Sequence, residues 1–218
     1  MDFENISDDM TSNANSEKAA QMKAYMRDNF EYLGIPTPKR REICKPYFKT
    51  AKKEMLIDWD FIDRCWKEPY REYQYVALDY LALMNKSLTA ADVPKIKKLI
   101  VRKSWWDTVD GLDEIMGYIA MWFPNVKPIL LAWSTDKNFW LRRVAIDHQL
   151  TYKGKTDTKL FEKIIVNNFG QTEFFINKAI GWSLREYSKT DPGWVRAFVD
   201  KNRSKLAPLS IREASKYI

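Results

Sequence analysis

The sequence predicts an all-α fold built as a solenoid of stacked helix pairs. Apolar residues recur at three- and four-residue spacing, as in Met22, Met26 and Phe30, which is the periodicity of an amphipathic helix. Glycines and prolines divide the chain into segments of about 8–16 residues. With only 7 glycines and 9 prolines, the chain has little material for the many turns of a β-sandwich or barrel.

A repeat of 34 residues supports the solenoid. Aligning residues 70–81, 104–115, 139–150 and 174–184 places a small residue in register in each segment: Ala77, Gly111, Ala145 and Ala179. The next position is always aliphatic, a pattern typical of helices that pack closely on their neighbours. The period equals that of tetratricopeptide repeats, but their signature is missing. HEAT-like helix pairs are therefore favoured, which stack into a superhelix with one concave face.

The charge distribution divides the chain into two parts. Residues 1–17 are polar and aperiodic, with five acidic and no basic side chains, and predict a flexible leader. Residues 18–218 are expected to form a single repeat domain, in which 36 basic side chains face 24 acidic ones, a net charge of +12. Such a body favours a polyanionic partner, nucleic acid before an acidic membrane. A merely basic surface is the alternative.

Several functional classes lack their motifs. The sequence contains no glycine-rich phosphate loop. Two cysteines and one histidine match no metal spacing, so neither a metal nor a cofactor is expected. Cys44 and Cys65 are interpreted as packing residues, and His148 as a packing or phosphate-contacting residue. No apolar run approaches the length of a membrane span, and the N-terminus lacks a signal peptide, so a cytoplasmic location is expected.

One helical face gathers an unusual set of side chains. Counting from the small residue of each repeat, four residues on successive helices share this face: Asp110, Arg143, Lys178 and Trp182. Trp106 lies four residues before Asp110, on the same side of its helix. The stripe continues through Arg185 and Lys189 as a basic row interrupted by one tryptophan. This pattern indicates a functional carboxylate, although an Asp110–Arg143 ion pair between two helices remains the alternative.

Neighbouring residues have simpler interpretations. Ser104 and Asp107 match a capping box, which gives Asp107 a structural role. Asp113 could simply lie on the solvated side of the helix. Arg40 and Arg41 follow Thr37 at a helix start and could meet a phosphate, or could be ordinary helix surface.

Four segments in order, residues 25–43, 104–110, 139–146 and 175–192, resemble the AlkD-type DNA alkylation repair enzymes, bacterial DNA glycosylases built from HEAT-like repeats. The resemblance runs from about residue 18 to the C-terminus. It implies an active site of Asp110, Arg143, Trp106 and Trp182. It also implies DNA-backbone contacts at Tyr25, Thr37, Arg41, Arg185 and Lys189, to which the basic stripe adds Lys178. Pro36 stands where some members carry a polar residue that enters the duplex.

The expected activity is hydrolysis of the N-glycosidic bond of N3- and N7-alkylated purines in duplex DNA, by a monomer in the bacterial cytosol. A cationic alkylated base leaves as a neutral purine, so a single carboxylate can stabilise the sugar cation that remains. Two other hypotheses stay open: a non-catalytic solenoid that binds bent or branched DNA, and a scaffold for acidic protein partners. The Asp110 and tryptophan set favours the enzyme.

Overall fold

The computed structural model describes residues 1–218, except for the side chain of Glu54. Thirteen α-helices are found in it, 72% of the chain is helical, and the described residues form no strand. An isolated bridge joins Glu31 and Tyr70. The all-α prediction is therefore confirmed.

The helices fall into two compact units, Met1–Leu88 and Thr89–Ile218. The first unit contains α1 (Phe3–Ser12), α2 (Ser16–Tyr25), α3 (Thr37–Glu54), α4 (Trp59–Lys67) and α5 (Arg71–Leu83). The second contains α6 (Val93–Ile100), α7 (Trp106–Trp122), α8 (Lys127–Trp133), α9 (Phe139–Asp147), α10 (Thr158–Val166), α11 (Phe174–Ser188), α12 (Pro192–Asn202) and α13 (Pro208–Ala214).

The N-terminal segment is an ordered helix, so the prediction of a flexible leader over residues 1–17 is wrong. Asp2 caps α1 by accepting a hydrogen bond from the Asn5 N–H at 3.2 Å. Phe3, Ile6 and Met10 are 6%, 0% and 0% exposed. These residues stand at i, i+3 and i+7, a helical stripe that the polar composition of the segment conceals.

Polar contacts also anchor α1 within its unit. Its acidic and hydroxyl side chains bond to three other helices: Asp9 to Tyr47 at 2.6 Å, Glu4 to Arg64 at 2.6 Å, and Ser7 to Tyr73 at 2.9 Å. These polar residues suggest a solvated segment in the sequence, but in the structure they bond to neighbouring helices.

A buried carboxylate organises the loop that leads into α3. Glu72 is fully buried and accepts hydrogen bonds from the backbone N–H groups of Leu33, Gly34 and Ile35 at 2.8 to 3.1 Å. Gly34 has a φ of 84°, and a Cβ there would lie 2.0 Å from the carbonyl oxygen of Asn15. The start of α3 is thus fixed by contacts within the first unit.

The 34-residue repeat organises the second unit. Helices α7, α9, α11 and α13 pack in sequence order, while α8 and α10 pack on one another and on α9. In α9 and α11 the small repeat residues Ala145 and Ala179 are fully buried, and their aliphatic neighbours Ile146 and Ile180 are 1% exposed. The repeat therefore marks the packed faces of these helices, as predicted.

Two glycines allow helices of this unit to approach closely. A Cβ at Gly117 of α7 would lie 2.2 Å from the carbonyl oxygen of His148. A Cβ at Gly181 of α11 would lie 2.6 Å from the Cβ of Glu213 and 3.0 Å from the carbonyl oxygen of Ser210, both in α13. The second approach brings Glu213 against the basic face of α11.

Among the described residues, none of the individual helices has both the length and the apolar character that crossing a membrane requires. The segments Trp106–Trp122 and Pro124–Trp133 meet these requirements only as a pair, with a bend of 120° between them.

Candidate active site

Asp110 lies in the second turn of α7, and its side chain is 21% exposed. The helix begins at Trp106 with no side-chain cap, so the predicted capping box of Ser104 and Asp107 is wrong. The Ser104 hydroxyl donates instead to the carbonyl oxygen of Ile100 at 2.6 Å. Asp107 lies in the first turn, where its negative charge suits the helix dipole.

Arg143 of α9 holds the Asp110 carboxylate in a two-point pair. Its Nε donates to Asp110 Oδ1 at 2.8 Å and its Nη2 donates to Oδ2 at 3.0 Å. Its Nη1 donates to the carbonyl oxygen of Phe175 at 2.8 Å, at the start of α11. The guanidinium is 3% exposed. The Asp110–Arg143 ion pair, the alternative given by the sequence, is therefore present, and its carboxylate remains partly exposed to solvent.

Two further carboxylates lie beside this pair, and neither was predicted from the sequence to do so. Asp147 of α9 has its Oδ2 3.8 Å from Arg143 Nη2, and its Oδ1 accepts a hydrogen bond from Ser183 at 2.6 Å. Asp113 of α7 is 1% exposed, so its predicted solvated position is wrong. The i+4 spacing of Arg143 and Asp147 was the one sequence signal for this arrangement.

Burial dominates the electrostatics of the cluster. It raises the pKa of Asp110, an effect that the hydrogen bonds from Arg143 reduce. It raises the pKa of Asp147 to about 6 and that of Asp113 well above its usual value. Burial lowers the pKa of Arg143, but the surrounding carboxylates raise it by more, so the guanidinium stays charged.

Within the described residues, Asp110, Asp113 and Asp147 are the one acidic group with the spacing of possible metal ligands, their oxygens lying within 4.8 Å of one another. The Arg143 guanidinium already supplies a positive charge that contacts two of the three. The chemistry of the set is therefore that of a carboxylate–guanidinium cluster, and we assign it no metal.

The predicted tryptophans lie near this pair in different ways. The Arg143 Cζ atom is 5.9 Å from the centroid of the Trp182 ring, a cation–π contact. Trp106 is the first residue of α7, one turn before Asp110, and is partly exposed. Behind them, Trp105 packs edge-on against Phe175 with centroids 5.1 Å apart. Asp110, Arg143 and Trp182 are thus linked by contacts, and Trp106 shares the helix face.

The predicted basic stripe on α11 is balanced by acidic partners. Lys178 lies 3.1 Å and Arg185 2.6 Å from the two oxygens of Glu213 in α13. Lys189 pairs with Glu186, and its Nζ lies 5.6 Å from the centroid of Tyr217. Glu213 could not be predicted from the sequence, since nothing in the local pattern indicates that α13 packs on this face.

In the first unit, the candidate DNA contacts lie at helix ends. Tyr25, the last residue of α2, is 72% exposed. Thr37 begins α3, and the Arg41 side chain is 65% exposed while bonding to Asp79 at 3.0 Å. Arg40 is 5% exposed and pairs with the same carboxylate, so of the two arginines only Arg41 is open to a phosphate.

The remaining singled-out residues are packing residues, as predicted. His148 is 3% exposed, its Nδ1 lies 2.7 Å from the carbonyl oxygen of Ala145, and burial lowers its pKa to about 4. Cys44 and Cys65 are buried free thiols, and burial raises the pKa of both.

Comparison with known proteins points to one family. The family model for DNA alkylation repair enzymes matches residues 6–218. A solved structure described as a predicted DNA alkylation repair enzyme from Enterococcus faecalis superposes with a TM-score of 0.86 at 37% sequence identity. The alignment covers 94% of this chain and 96% of that one. No curated protein matches the sequence. The family match includes most of α1 and spans both compact units, and the chain belongs to the DNA alkylation repair enzyme family.

Proposed function

We propose that this protein is a monofunctional DNA glycosylase. It hydrolyses the N-glycosidic bond of N3- and N7-alkylated purines in duplex DNA, acting as a monomer in the cytosol and without a metal or cofactor. The family supports a role in DNA repair, and the proposal adds the bond that is broken and the class of lesion.

One observation carries the proposal: a carboxylate that is held rigidly and is still accessible. The Asp110 side chain is 21% exposed, whereas its partner Arg143 is 3% exposed and is tied to both Asp110 oxygens and to a backbone carbonyl. The carboxylate in an ordinary surface ion pair is not bound at two points by a buried guanidinium that is itself fixed to a backbone carbonyl. Fixed charges of this kind stabilise a charge that develops beside them in a transition state.

The chemistry of alkylated purines matches this single carboxylate. Alkylation at N3 or N7 makes the base cationic, so it departs as a neutral purine and needs no proton donor. The positive charge then develops on the deoxyribose, where Asp110 would stabilise it and orient the attacking water. Indole faces attract cations, which gives Trp182 and Trp106 a role beside the lesion.

Duplex binding would use polar and basic residues of each unit. Tyr25, Thr37 and Arg41 would contact the backbone from the first unit, and Lys178, Arg185 and Lys189 from the second. Because Glu213 and Glu186 neutralise part of this second set, phosphates would have to compete with these carboxylates for the cations. This competition favours moderate affinity for undamaged DNA.

The decisive experiment measures release of 7-methylguanine from a duplex under single-turnover conditions. Asp110→Asn keeps the shape of the side chain and removes its charge, so excision should fall by ~10²–10³. Binding to the same duplex should be retained, because the variant removes a negative charge near phosphates.

Asp107→Asn is the matched control, since it removes a carboxylate one turn earlier on the same helix. It should cost about 0.3–1 kcal/mol of helix stability through the dipole and leave excision within a few-fold of the parent. If both variants lose excision equally and mildly, Asp110 is a structural ion-pair residue. If the parent protein binds DNA and releases no base, the non-catalytic DNA-binding hypothesis replaces the enzyme.

A further inference from the structure

The Asp110–Arg143 pair poses a charge problem. A carboxylate bound at two points by a guanidinium forms a pair with no net charge. A neutral pair offers little stabilisation to a cation that develops beside it, because the attraction of the carboxylate is offset by the repulsion of the guanidinium. If Asp110 acts on a sugar cation, a second negative group must offset part of the positive charge of Arg143.

Asp147 is positioned to offset this charge. It lies one turn after Arg143 on α9, its side chain is fully buried, and its Oδ2 is 3.8 Å from Arg143 Nη2. The Ser183 hydroxyl of α11 fixes the other oxygen at 2.6 Å. Its Oδ2 has no hydrogen bond within the described structure, so the guanidinium is the one cation shown beside that oxygen. The Arg143 guanidinium therefore lies beside two carboxylates, those of Asp110 and Asp147.

Asp113 completes the buried group and differs from the other two carboxylates. It lies one turn after Asp110 on α7, and its Oδ2 also has no hydrogen bond among the described residues. Three ionised carboxylates around one guanidinium would leave two negative charges in a buried volume, which is costly. Burial raises the pKa of Asp113, the carboxylates of Asp147 and Asp110 raise it further, and Arg143 lowers it only in part, so of the two buried carboxyls Asp113 has the stronger tendency to keep a proton.

We propose that Asp147 is a positioning residue for the Asp110 site: as a second carboxylate on the Arg143 guanidinium, it leaves the Asp110–Arg143–Asp147 set with a net negative charge. This inference rests on the proposed glycosylase function. It assigns Asp147 no contact with the substrate, because the side chain is fully buried. Asp113 lies outside the set, as a neutral buried acid.

The arrangement implies a pH dependence with a definite sign. Burial raises the pKa of Asp147 to about 6, while Arg143 and the Ser183 hydrogen bond lower it and Asp110 raises it. As the pH falls through this value, Asp147 gains a proton and Arg143 is left to neutralise Asp110 alone. The excision rate, divided by the spontaneous rate of base loss, should therefore fall on the acidic side of about pH 6.

The test compares Asp147→Asn with Asp113→Asn by single-turnover excision between pH 5 and 9. A unit charge about 10 Å from a developing cation, at an effective dielectric constant of about 20, changes a rate roughly tenfold. At pH 8, the excision rate of Asp147→Asn should be roughly tenfold below that of the parent. Its pH profile should also lack the acidic limb, which is the fall in rate below about pH 6. Asp113→Asn imitates a protonated carboxyl and should stay within about twofold with the limb intact.

A milder variant provides a second test that keeps the Asp147 carboxyl in place. Ser183→Ala removes the hydrogen bond that stabilises the charged form, so the acidic limb should move to higher pH while excision at pH 9 is retained. Carbon-13 NMR of the Asp147 carboxyl should show the same displacement in the absence of DNA.

The outcomes separate this inference from the function on which it rests. A parent protein that releases no base overturns the proposed function. A parent that excises, with an Asp147→Asn variant equal to it in rate and pH profile, overturns the role of Asp147 alone. Equal losses in Asp147→Asn and Asp113→Asn, with the acidic limb kept in both, would mean that the cluster only maintains the fold, and the inference is then wrong.

Discussion

Replacing Ile6 by alanine should destabilise the protein substantially, although the residue lies in a segment that looks solvated in the sequence. Ile6 is fully buried in α1. The substitution removes three buried carbons, and at about 0.8 kcal/mol each the transfer cost is about 2.4 kcal/mol. The cavity left behind adds to this, so we expect a loss of about 3–4 kcal/mol in the free energy of unfolding.

The assay is urea unfolding followed by circular dichroism, with Asp8→Ala as the control. Asp8 lies two residues further along α1 with an exposed side chain, so its substitution should change stability by less than about 0.5 kcal/mol. A difference between the two variants of less than about 0.5 kcal/mol would refute the packing of α1. Deletion of residues 1–14 should destabilise the protein at least as much as Ile6→Ala, because it also removes the other buried side chains of α1.

Three further predictions concern the second unit. Gly181→Ala should lower the free energy of unfolding, measured by thermal unfolding, by more than about 2 kcal/mol, because the new Cβ would lie 2.6 Å from a side-chain atom of α13. Gly154→Ala is the control and should leave stability nearly unchanged, because no atom lies within 4 Å of its Cβ position. In binding assays on undamaged duplex, Arg185→Ala combined with Lys189→Ala should reduce the log–log salt slope by roughly 0.9 for each phosphate that is no longer neutralised, and an unchanged slope would exclude both residues as phosphate ligands. In unfolding experiments at several pH values, Asp147→Asn should be more stable than the parent by up to about 3 kcal/mol above pH 6 and equal to it near pH 4. The reason is that a raised carboxyl pKa destabilises the folded state only at pH values where the group is ionised. A variant that is less stable than the parent at pH 8 would contradict this sign.

The sequence predicted the helical class and the packed faces of the second unit because both depend on periodicity. Ala145 and Ala179 are fully buried as the 34-residue repeat requires, and Asp110 meets Arg143 because the repeat places them on adjacent helices. A local pattern that recurs reports on its own neighbours, so these contacts could be inferred from the sequence.

The features that the sequence analysis missed depend on contacts between distant segments. The apolar stripe of α1 has three members among polar residues, and its burial depends on helices α3 to α5. From the sequence, Asp113 resembles a solvated residue, because nothing local indicates that α9 brings Asp147 beside it. Glu213 takes part in the basic face of α11 only because Gly181 lets α13 approach. In each case the partner lies outside the local sequence window.

The carboxylate of Glu72 has a consequence for backbone dynamics. Loop amides usually exchange their protons with water quickly, but those of Leu33, Gly34 and Ile35 donate to an acceptor that is itself inaccessible to solvent. Their exchange requires an opening that frees this buried carboxylate, so their deuterium uptake should be as slow as that of helix interiors. The segment that leads into Thr37 and Arg41 therefore belongs to the slow-exchanging frame of its unit, although it contains no helix.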